Sequence, residues 1–131
     1  MTGSPHNPSQ PNRSDDSGGG EATIWDTIDR ARRWLDDTNG TDRAELTMRI
    51  LKIAEEYGEA STAWAGVSGQ NPRKGVTSTV QDVAAELGDV AFTALVAAAS
   101  LGFDPRTVLA EVAAKVNNRF TLADADTSER R

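Results

Sequence analysis

The segment ILKIAEEYGEASTAW, residues 50 to 64, places three glutamates inside an otherwise apolar run. Its apolar residues recur every three or four positions, which is the period of an amphipathic α-helix. On a helical wheel of about 100° per residue, the predicted core line is formed by Leu46, Ile50, Ile53, Tyr57, Ala60 and Trp64. Glu56 and Glu59 fall on one flank of this line, at about −80° and −140°, whereas Glu55 points away from the core.

A second acidic pair lies in the apolar segment 80–101. With Val83 as zero, the predicted core line of this helix is formed by Val80, Leu87, Val90, Ala94, Ala97, Ala98 and Leu101. Glu86 and Asp89 fall at about −60° and −120°, on the same flank as the first pair. The short link GVSGQNPRKG makes the two helices antiparallel neighbours, so both pairs face the same side at the same height. The sequence therefore predicts that four carboxylates converge.

Four carboxylates at the edge of a core repel one another unless a cation neutralises them. An open cluster of carboxylate oxygens suits Mg²⁺ or Mn²⁺ and not zinc, and the chain has no cysteine and a single histidine, His6. A solvated helix face is the ordinary explanation of one acidic flank, but two pairs at matching height favour a metal site. For Glu55 a solvated or supporting role is the better interpretation.

Helical periodicity continues outside these two segments, and no run alternates with the period of a strand. The sequence predicts an all-α four-helix bundle. The first helix is expected to begin after the cap Thr23 and to end near Gly40, and the second to span residues 42–65. The third is expected to begin with a capping box of Ser78 and Gln81 and to end at Leu101. The fourth is expected to begin with Asp104 as cap and Pro105 in the first helical position. Residues 1–21 and 122–131 are expected to be disordered tails around a domain at 22–121.

The composition of the chain limits the kinds of partner that the protein is expected to bind. The net charge of −6 disfavours nucleic-acid binding, because a phosphate backbone repels an acidic surface. No apolar run reaches the roughly 20 residues of a membrane span, and no secretory signal pattern is present, so a cytoplasmic location is expected. The alanine-rich third helix favours close packing, which includes burial between subunits.

The motif EEYGE at residues 55–59, followed by ELGD at residues 86–89, resembles the EExxE and ExxD signature of the MazG-like all-α nucleoside triphosphate pyrophosphatases. The similarity covers residues 24–120, and GVSGQNPRKG resembles loops of actinobacterial MazG-like proteins. The resemblance implies Mg²⁺-dependent hydrolysis of nucleoside triphosphates to a monophosphate and pyrophosphate, as nucleotide-pool housekeeping. It implies a homodimer or a dimer of dimers, and it places the metal ligands at Glu56, Glu59, Glu86 and Asp89.

Binding a triphosphate beside four carboxylates requires basic side chains. Arg49 and Lys52 share the acidic flank and are candidates, although an i,i+4 salt bridge from Lys52 to Glu56 is an equal alternative. The segment KVNNRF resembles a Lys, Asn and Arg segment of the family, which implies substrate contacts from Lys115, Asn118 and Arg119, with Asn117 as the alternative register.

Two further features have a structural and a functional interpretation. Arg73 and Lys74 form either an exposed basic turn or a cover over the substrate. Trp64, and less directly Trp34, can stack on a base, although an aromatic on the core line is more often part of the packing. Two alternative functions also stay open: a related helical pyrophosphatase with another substrate such as phosphoribosyl-ATP, and a non-enzymatic partner-binding module.

Overall fold

The computed structural model describes residues 22–129 and consists of four helices in this part of the chain. They are α1 (Ile24–Asn39), α2 (Arg43–Ser68), α3 (Val80–Ser100) and α4 (Pro105–Glu129). The prediction of an all-α fold with four helices is confirmed, and residues 22–129 contain no strand. The N-terminal segment 1–21, predicted to be a tail, lies outside the described residues, as do residues 130 and 131.

The start of α1 follows the prediction. The Thr23 hydroxyl accepts a hydrogen bond from the Asp26 backbone N–H, and the Asp26 carboxylate accepts one from the Thr23 backbone, so a capping box closes the first turn. The helix ends at Gly40, whose φ of 81° suits a residue without a side chain. Asp42 then caps α2, which extends three residues beyond its predicted end, to Ser68.

The predicted cap of α3 is wrong by one residue. Thr79, and not Ser78, accepts the hydrogen bond from the third helical residue, which is Asp82 and not Gln81. The Asp82 carboxylate accepts hydrogen bonds from the Thr79 backbone N–H at 2.7 Å and from the Thr79 hydroxyl at 2.8 Å, and a carboxylate accepts these more strongly than an amide oxygen would. Ser78 is instead packed against Gly66 of α2, with its hydroxyl 2.7 Å from the position a Cβ would take there.

α2 and α3 form the main packing unit and run antiparallel. Arg49 of α2 meets Ser100 at the end of α3, Glu56 meets Glu86 and Asp89 in the middle, and Gly66 meets the loop just before α3. Residue numbers thus rise along one helix as they fall along the other. α3 is the central element, because it also packs against α1 and, less extensively, α4.

The buried face of α2 shares only Ala60 with the predicted core line. Its buried residues are Arg49, Glu56, Ala60, Ala63 and Gly66, which lie toward the acidic flank of the wheel. Ile50, Tyr57 and Trp64 are 46%, 64% and 60% exposed. Small residues allow the α3 backbone to approach closely, so the helix turns its alanines and its acidic flank inward and leaves its largest apolar side chains on the surface of the single chain.

α3 is unusually apolar for a helix whose residues are mostly exposed or half-buried in the single chain. The sequence predicted no membrane span, yet α3 is long and apolar enough to cross a bilayer by length and composition alone, with a mean hydropathy of 1.5. Core helices of soluble proteins have the same property, and α3 carries Glu86 and Asp89 near its middle. Only 11% of the residues in its most apolar window are buried within the chain, and Leu87 near the middle of the helix is 54% exposed.

α4 begins as predicted and ends later than predicted. The Asp104 carboxylate accepts hydrogen bonds from the Arg106 backbone and the Thr107 hydroxyl, and Pro105 occupies the first helical position. The helix then continues to Glu129. Residues 122–129, which the sequence assigned to a disordered tail, are therefore helical, because the alanines and side-chain-to-backbone hydrogen bonds of ADADTSE are compatible with helix.

Candidate functional site

Three of the four predicted carboxylates come together between α2 and α3. One oxygen each of Glu56, Glu86 and Asp89 lies within 4.8 Å of the other two. Glu56 is buried, Glu86 is half-buried and Asp89 is exposed, so the cluster extends from the helix interface to the surface. The helical-wheel prediction explains this cluster, because the acidic flanks of the antiparallel helices α2 and α3 lie on the same side.

Glu59 and Glu55 lie beside this cluster and not in it. Glu59 adds to the negative charge that Glu86 experiences, and the two residues line the same cavity. Glu55 is exposed and pairs with Lys52 at 3.2 Å, as its position away from the core indicated.

Glu86 has the clearest electrostatic signature of the site. Its partial burial raises the pKa of its carboxyl group above the ordinary value of 4.5, and the neighbouring charges of Glu59, Asp89 and Glu56 raise it further. Glu86 therefore retains its proton to a higher pH than an ordinary glutamate. Among residues 22–129, no basic side chain forms an ion pair with Glu86.

Lys52 supplies the one cation bound directly to the cluster within residues 22–129. Its Nζ lies 2.8 Å from Glu56 Oε1, and the hydrogen bonds that it donates to Glu56 and Glu55 raise the pKa of the lysine. The i,i+4 salt bridge considered at the sequence level is therefore present. It also places a positive charge on one of the three carboxylates of the cluster.

Two cavities adjoin the acidic residues. The larger, about 680 Å³, lies among α1, α2 and α3, and we call it the aromatic cavity. It includes Glu56 and Asp89, and its other lining residues include Trp34, Leu35, Met48, Leu51, Phe92 and Val96. The smaller, about 500 Å³, lies toward the α2–α3 loop, and we call it the hydroxyl cavity. Its lining consists of Glu55, Gly58, Glu59, Thr62, Ala63, Ser78 and Glu86.

Arg49 was predicted to reach phosphate, and the structure gives it a different environment. Its Nε donates to Glu45 at 2.9 Å, its Nη1 to Asp36 at 2.7 Å and to Ser100, and its Nη2 to the Gly40 carbonyl at 2.8 Å. The side chain is 5% exposed. Arg49 thus joins α1, α2, α3 and the α1–α2 turn, and it forms part of the wall of the aromatic cavity.

The remaining predicted substrate residues lie away from the cluster in the single chain. Arg73 and Lys74 are exposed in the turn before α3, where Asn71 caps the backbone. Lys115, Asn118 and Arg119, together with the alternative Asn117, are exposed on α4 and line neither cavity. Trp64 is exposed on α2 and also lines neither cavity, whereas Trp34 lines the aromatic cavity.

Several lining residues were not identified from the sequence. Asn39, Phe92 and Thr93 face the aromatic cavity, and Ser78 faces the hydroxyl cavity. Phe92 and Thr93 follow Asp89 by three and four residues, so helical spacing alone places them on the same side of α3. Asn39 carried no such signal, because its position depends on how α1 packs.

The residues present fit a hard divalent cation. The donor set is oxygen only, and the cluster is open toward Asp89. Neighbouring oxygen ligands of an octahedral Mg²⁺ lie about 3 Å apart, so the three oxygens have to approach one another by up to about 2 Å, which a change of side-chain torsion can supply. The raised pKa of Glu86 and the lysine on Glu56 both indicate a site with unbalanced negative charge.

The fold and this site define an all-α protein with a candidate divalent-metal site between two antiparallel helices. Residues 21–116, more than half of the chain, match the phosphoribosyl-ATP pyrophosphohydrolase family. The chain belongs to this family, which shares its all-α superfamily with the MazG-like proteins. No curated protein and no solved structure matches the chain. Family membership supports a pyrophosphohydrolase that acts on a nucleotide.

Proposed function

We propose that this protein hydrolyses nucleoside triphosphates between the α and β phosphates, with Mg²⁺ or Mn²⁺ as cofactor, and that it belongs to the MazG-like branch of the superfamily. The observation that carries the proposal is the cluster of Glu56, Glu86 and Asp89 between two cavities large enough for a nucleotide. Glu59, beside Glu86, is the fourth ligand in this proposal. Nucleotide-pool housekeeping in the cytoplasm is the role that fits such an activity.

A divalent cation held by these carboxylates would offset the charge of the phosphate oxygens and make a water molecule a stronger nucleophile. The chain's part is to hold the reacting groups. The water oxygen bonds to the α phosphorus, the bond from that phosphorus to the bridging oxygen breaks, and its electron pair leaves with pyrophosphate. The released proton passes to solvent.

Basic residues complete the charge balance. Lys52 lines the aromatic cavity beside Glu56, so it can transfer from the carboxylate to a phosphate oxygen when a metal replaces it. Arg73 and Lys74 are proposed to cover the phosphates from the loop. Lys115, Asn118 and Arg119 can reach substrate only if α4 moves or if they belong to a second copy of the chain.

A homodimer, or a dimer of dimers, is part of the proposal. α3 has a mean hydropathy of 1.5 with few of its residues fully buried, and α2 exposes Ile50, Tyr57 and Trp64. Exposed apolar surface on this scale is characteristic of subunit interfaces. A second copy would cover the face that the sequence identified as the core line.

Phosphoribosyl-ATP is the second candidate substrate, and the family match is the observation that favours it. Its hydrolysis breaks the same type of bond and also releases pyrophosphate. The two candidates therefore share the site and differ only in the group attached to the nucleoside half.

The test is a panel of ribo- and deoxyribonucleoside triphosphates with phosphoribosyl-ATP, each with Mg²⁺ or Mn²⁺, scored for pyrophosphate and for phosphate. Glu56→Gln and Glu86→Gln are expected to lose at least about a hundredfold in rate, because each removes a ligand charge. Glu111→Gln, an exposed glutamate on α4, is the matched control and should keep the wild-type rate. Release of no pyrophosphate from any substrate would leave the partner-binding module as the better interpretation.

A further inference from the structure

The acidic residues form a partition between the two cavities. Glu56 and Asp89 line the aromatic cavity, and Glu59 and Glu86, which lie one helical turn or less nearer the α2–α3 loop, line the hydroxyl cavity. Glu55 lines both. A molecule that spans the partition would therefore extend along the α2–α3 pair, with one end on each side of the carboxylates.

The two cavities differ in chemistry. The aromatic cavity offers the rings of Trp34 and Phe92 and several aliphatic side chains, with Asn39 and Thr93 as neutral polar groups. The hydroxyl cavity has no apolar side chain larger than that of Ala63, and its neutral polar groups are the hydroxyls of Thr62 and Ser78. The first lining suits a planar, weakly polar group. The second also contains the carboxylates of Glu55, Glu59 and Glu86, so it suits phosphate oxygens that bind together with a divalent cation.

We propose a fixed orientation of the substrate: the nucleoside half lies in the aromatic cavity, the pyrophosphate half lies in the hydroxyl cavity, and the bond to be broken stands over the acidic partition. This inference rests on the proposed function. A nucleotide has the same two-part chemistry as the cavities, because its base stacks on aromatic rings whereas its phosphates accept hydrogen bonds.

Asn39 is assigned to recognition of the base. Its Nδ2 donates to Glu45 Oε1 at 3.2 Å, and Glu45 is itself held by Arg49 at 2.9 Å. The amide is thereby oriented, and it keeps its carbonyl oxygen and its second N–H for a ligand. An oriented amide can pair with the edge of a base, which makes Asn39 a specificity-determining residue.

Ser78 is assigned to the pyrophosphate half. Gly66 has no side chain, which allows the Ser78 hydroxyl to pack against α2, and the Thr77 N–H donates to the Gly66 carbonyl at 3.0 Å. Within residues 22–129 the Ser78 hydroxyl makes no hydrogen bond, so it is available as a donor. The same loop carries Arg73 and Lys74, the exposed cations nearest in sequence.

Calorimetric titration of the two products tests this orientation separately from catalysis. The ligands are AMP, GMP, CMP and UMP on one side and inorganic pyrophosphate with Mg²⁺ on the other. Trp34→Leu is expected to weaken the best-bound monophosphate about tenfold through lost stacking and to leave pyrophosphate within twofold. Ser78→Ala is expected to weaken pyrophosphate about tenfold through a lost charge-assisted hydrogen bond and to leave the monophosphate within twofold. Asn39→Ala should change the order of preference among the four monophosphates.

Matched controls exclude general damage. Trp25→Leu alters a tryptophan of α1 that packs under Arg106, 5.3 Å from its ring, in a separate cavity of about 560 Å³. Ser61→Ala alters an exposed serine of α2. Both should bind both products as the wild type does.

The outcomes separate the two proposals. If Trp34→Leu and Ser78→Ala weaken both products equally, exchange their effects, or change neither in an active enzyme, the orientation is wrong and the proposed function stands. If the wild type binds neither product and releases no pyrophosphate from the panel, both proposals fail.

Discussion

Replacing Arg49 with alanine should destabilise the fold strongly, and the expected size follows from its contacts. The guanidinium binds Asp36, Glu45, Ser100 and the Gly40 carbonyl, and the side chain is 5% exposed. Removing one member of a buried ion pair costs about 3–5 kcal/mol. The lower end applies here, because Asp36 keeps its bond to Arg32 and Glu45 keeps its bond to Asn39. The expected loss is about 3 kcal/mol, or a fall in Tm of at least roughly 12 °C at about 4 °C per kcal/mol.

Thermal unfolding followed by circular dichroism, at one protein concentration, measures this loss. Arg33→Ala is the matched control, because Arg33 is 63% exposed and makes one ion pair with Asp29 at 3.3 Å. Exposed pairs of this kind contribute at most about 1 kcal/mol, so its Tm should change by only a few degrees. If Arg49→Ala melts like Arg33→Ala but loses triphosphate hydrolysis, Arg49 is a substrate ligand, as the sequence predicted, and the structural role is wrong.

Three further predictions concern the metal centre, the loop and the interface. Without metal, Glu86→Gln should have a higher Tm than the wild type at pH 7, because the raised pKa of Glu86 means that its charged form destabilises the fold. The difference in Tm should disappear below about pH 4.5, where the carboxyl group is protonated. An unchanged Tm at pH 7 would contradict this prediction. Gly66→Ala should weaken pyrophosphate binding in calorimetry, since its Cβ would lie 2.5 Å from the Thr77 hydroxyl and displace the Ser78 loop; unaltered binding would show that the loop position is irrelevant. Tyr57→Lys should reduce the mass in sedimentation equilibrium from at least twice 14.0 kDa to that of one chain, and a wild type of one-chain mass would refute the proposed dimer.

The acidic cluster could be predicted from the sequence because it depends on two local properties. Helical spacing placed Glu56 with Glu59 and Glu86 with Asp89 on equivalent flanks, and the short loop fixed the antiparallel order of α2 and α3. Glu59 shows the limit of this reasoning, because a wheel gives direction and not the distance between side chains.

Most of the buried face of α2 could not be predicted, because hydropathy gives most weight to large side chains. Of the predicted core line the structure buries Ala60, and beside it Ala63 and Gly66, whose small size lets α3 approach. The contacts of Arg49 could not be predicted either, since its partners Asp36 and Ser100 lie 13 and 51 positions away in the sequence. The cap of α3 is Thr79 and not the predicted Ser78. Both hydroxyl residues fit the local sequence pattern, and only the packing of Ser78 against Gly66 distinguishes them.

The salt bridge between Lys52 and Glu56 means that loading this centre exchanges one cation for another. The ammonium group of Lys52 lies on Oε1 of Glu56, so an ion that takes this oxygen has to displace a group that is covalently part of the chain. Half-occupancy should therefore need a higher free ion concentration than it would at three carboxylates without the lysine. The lysine in this way acts as a built-in competitor that sets the threshold at which the centre fills.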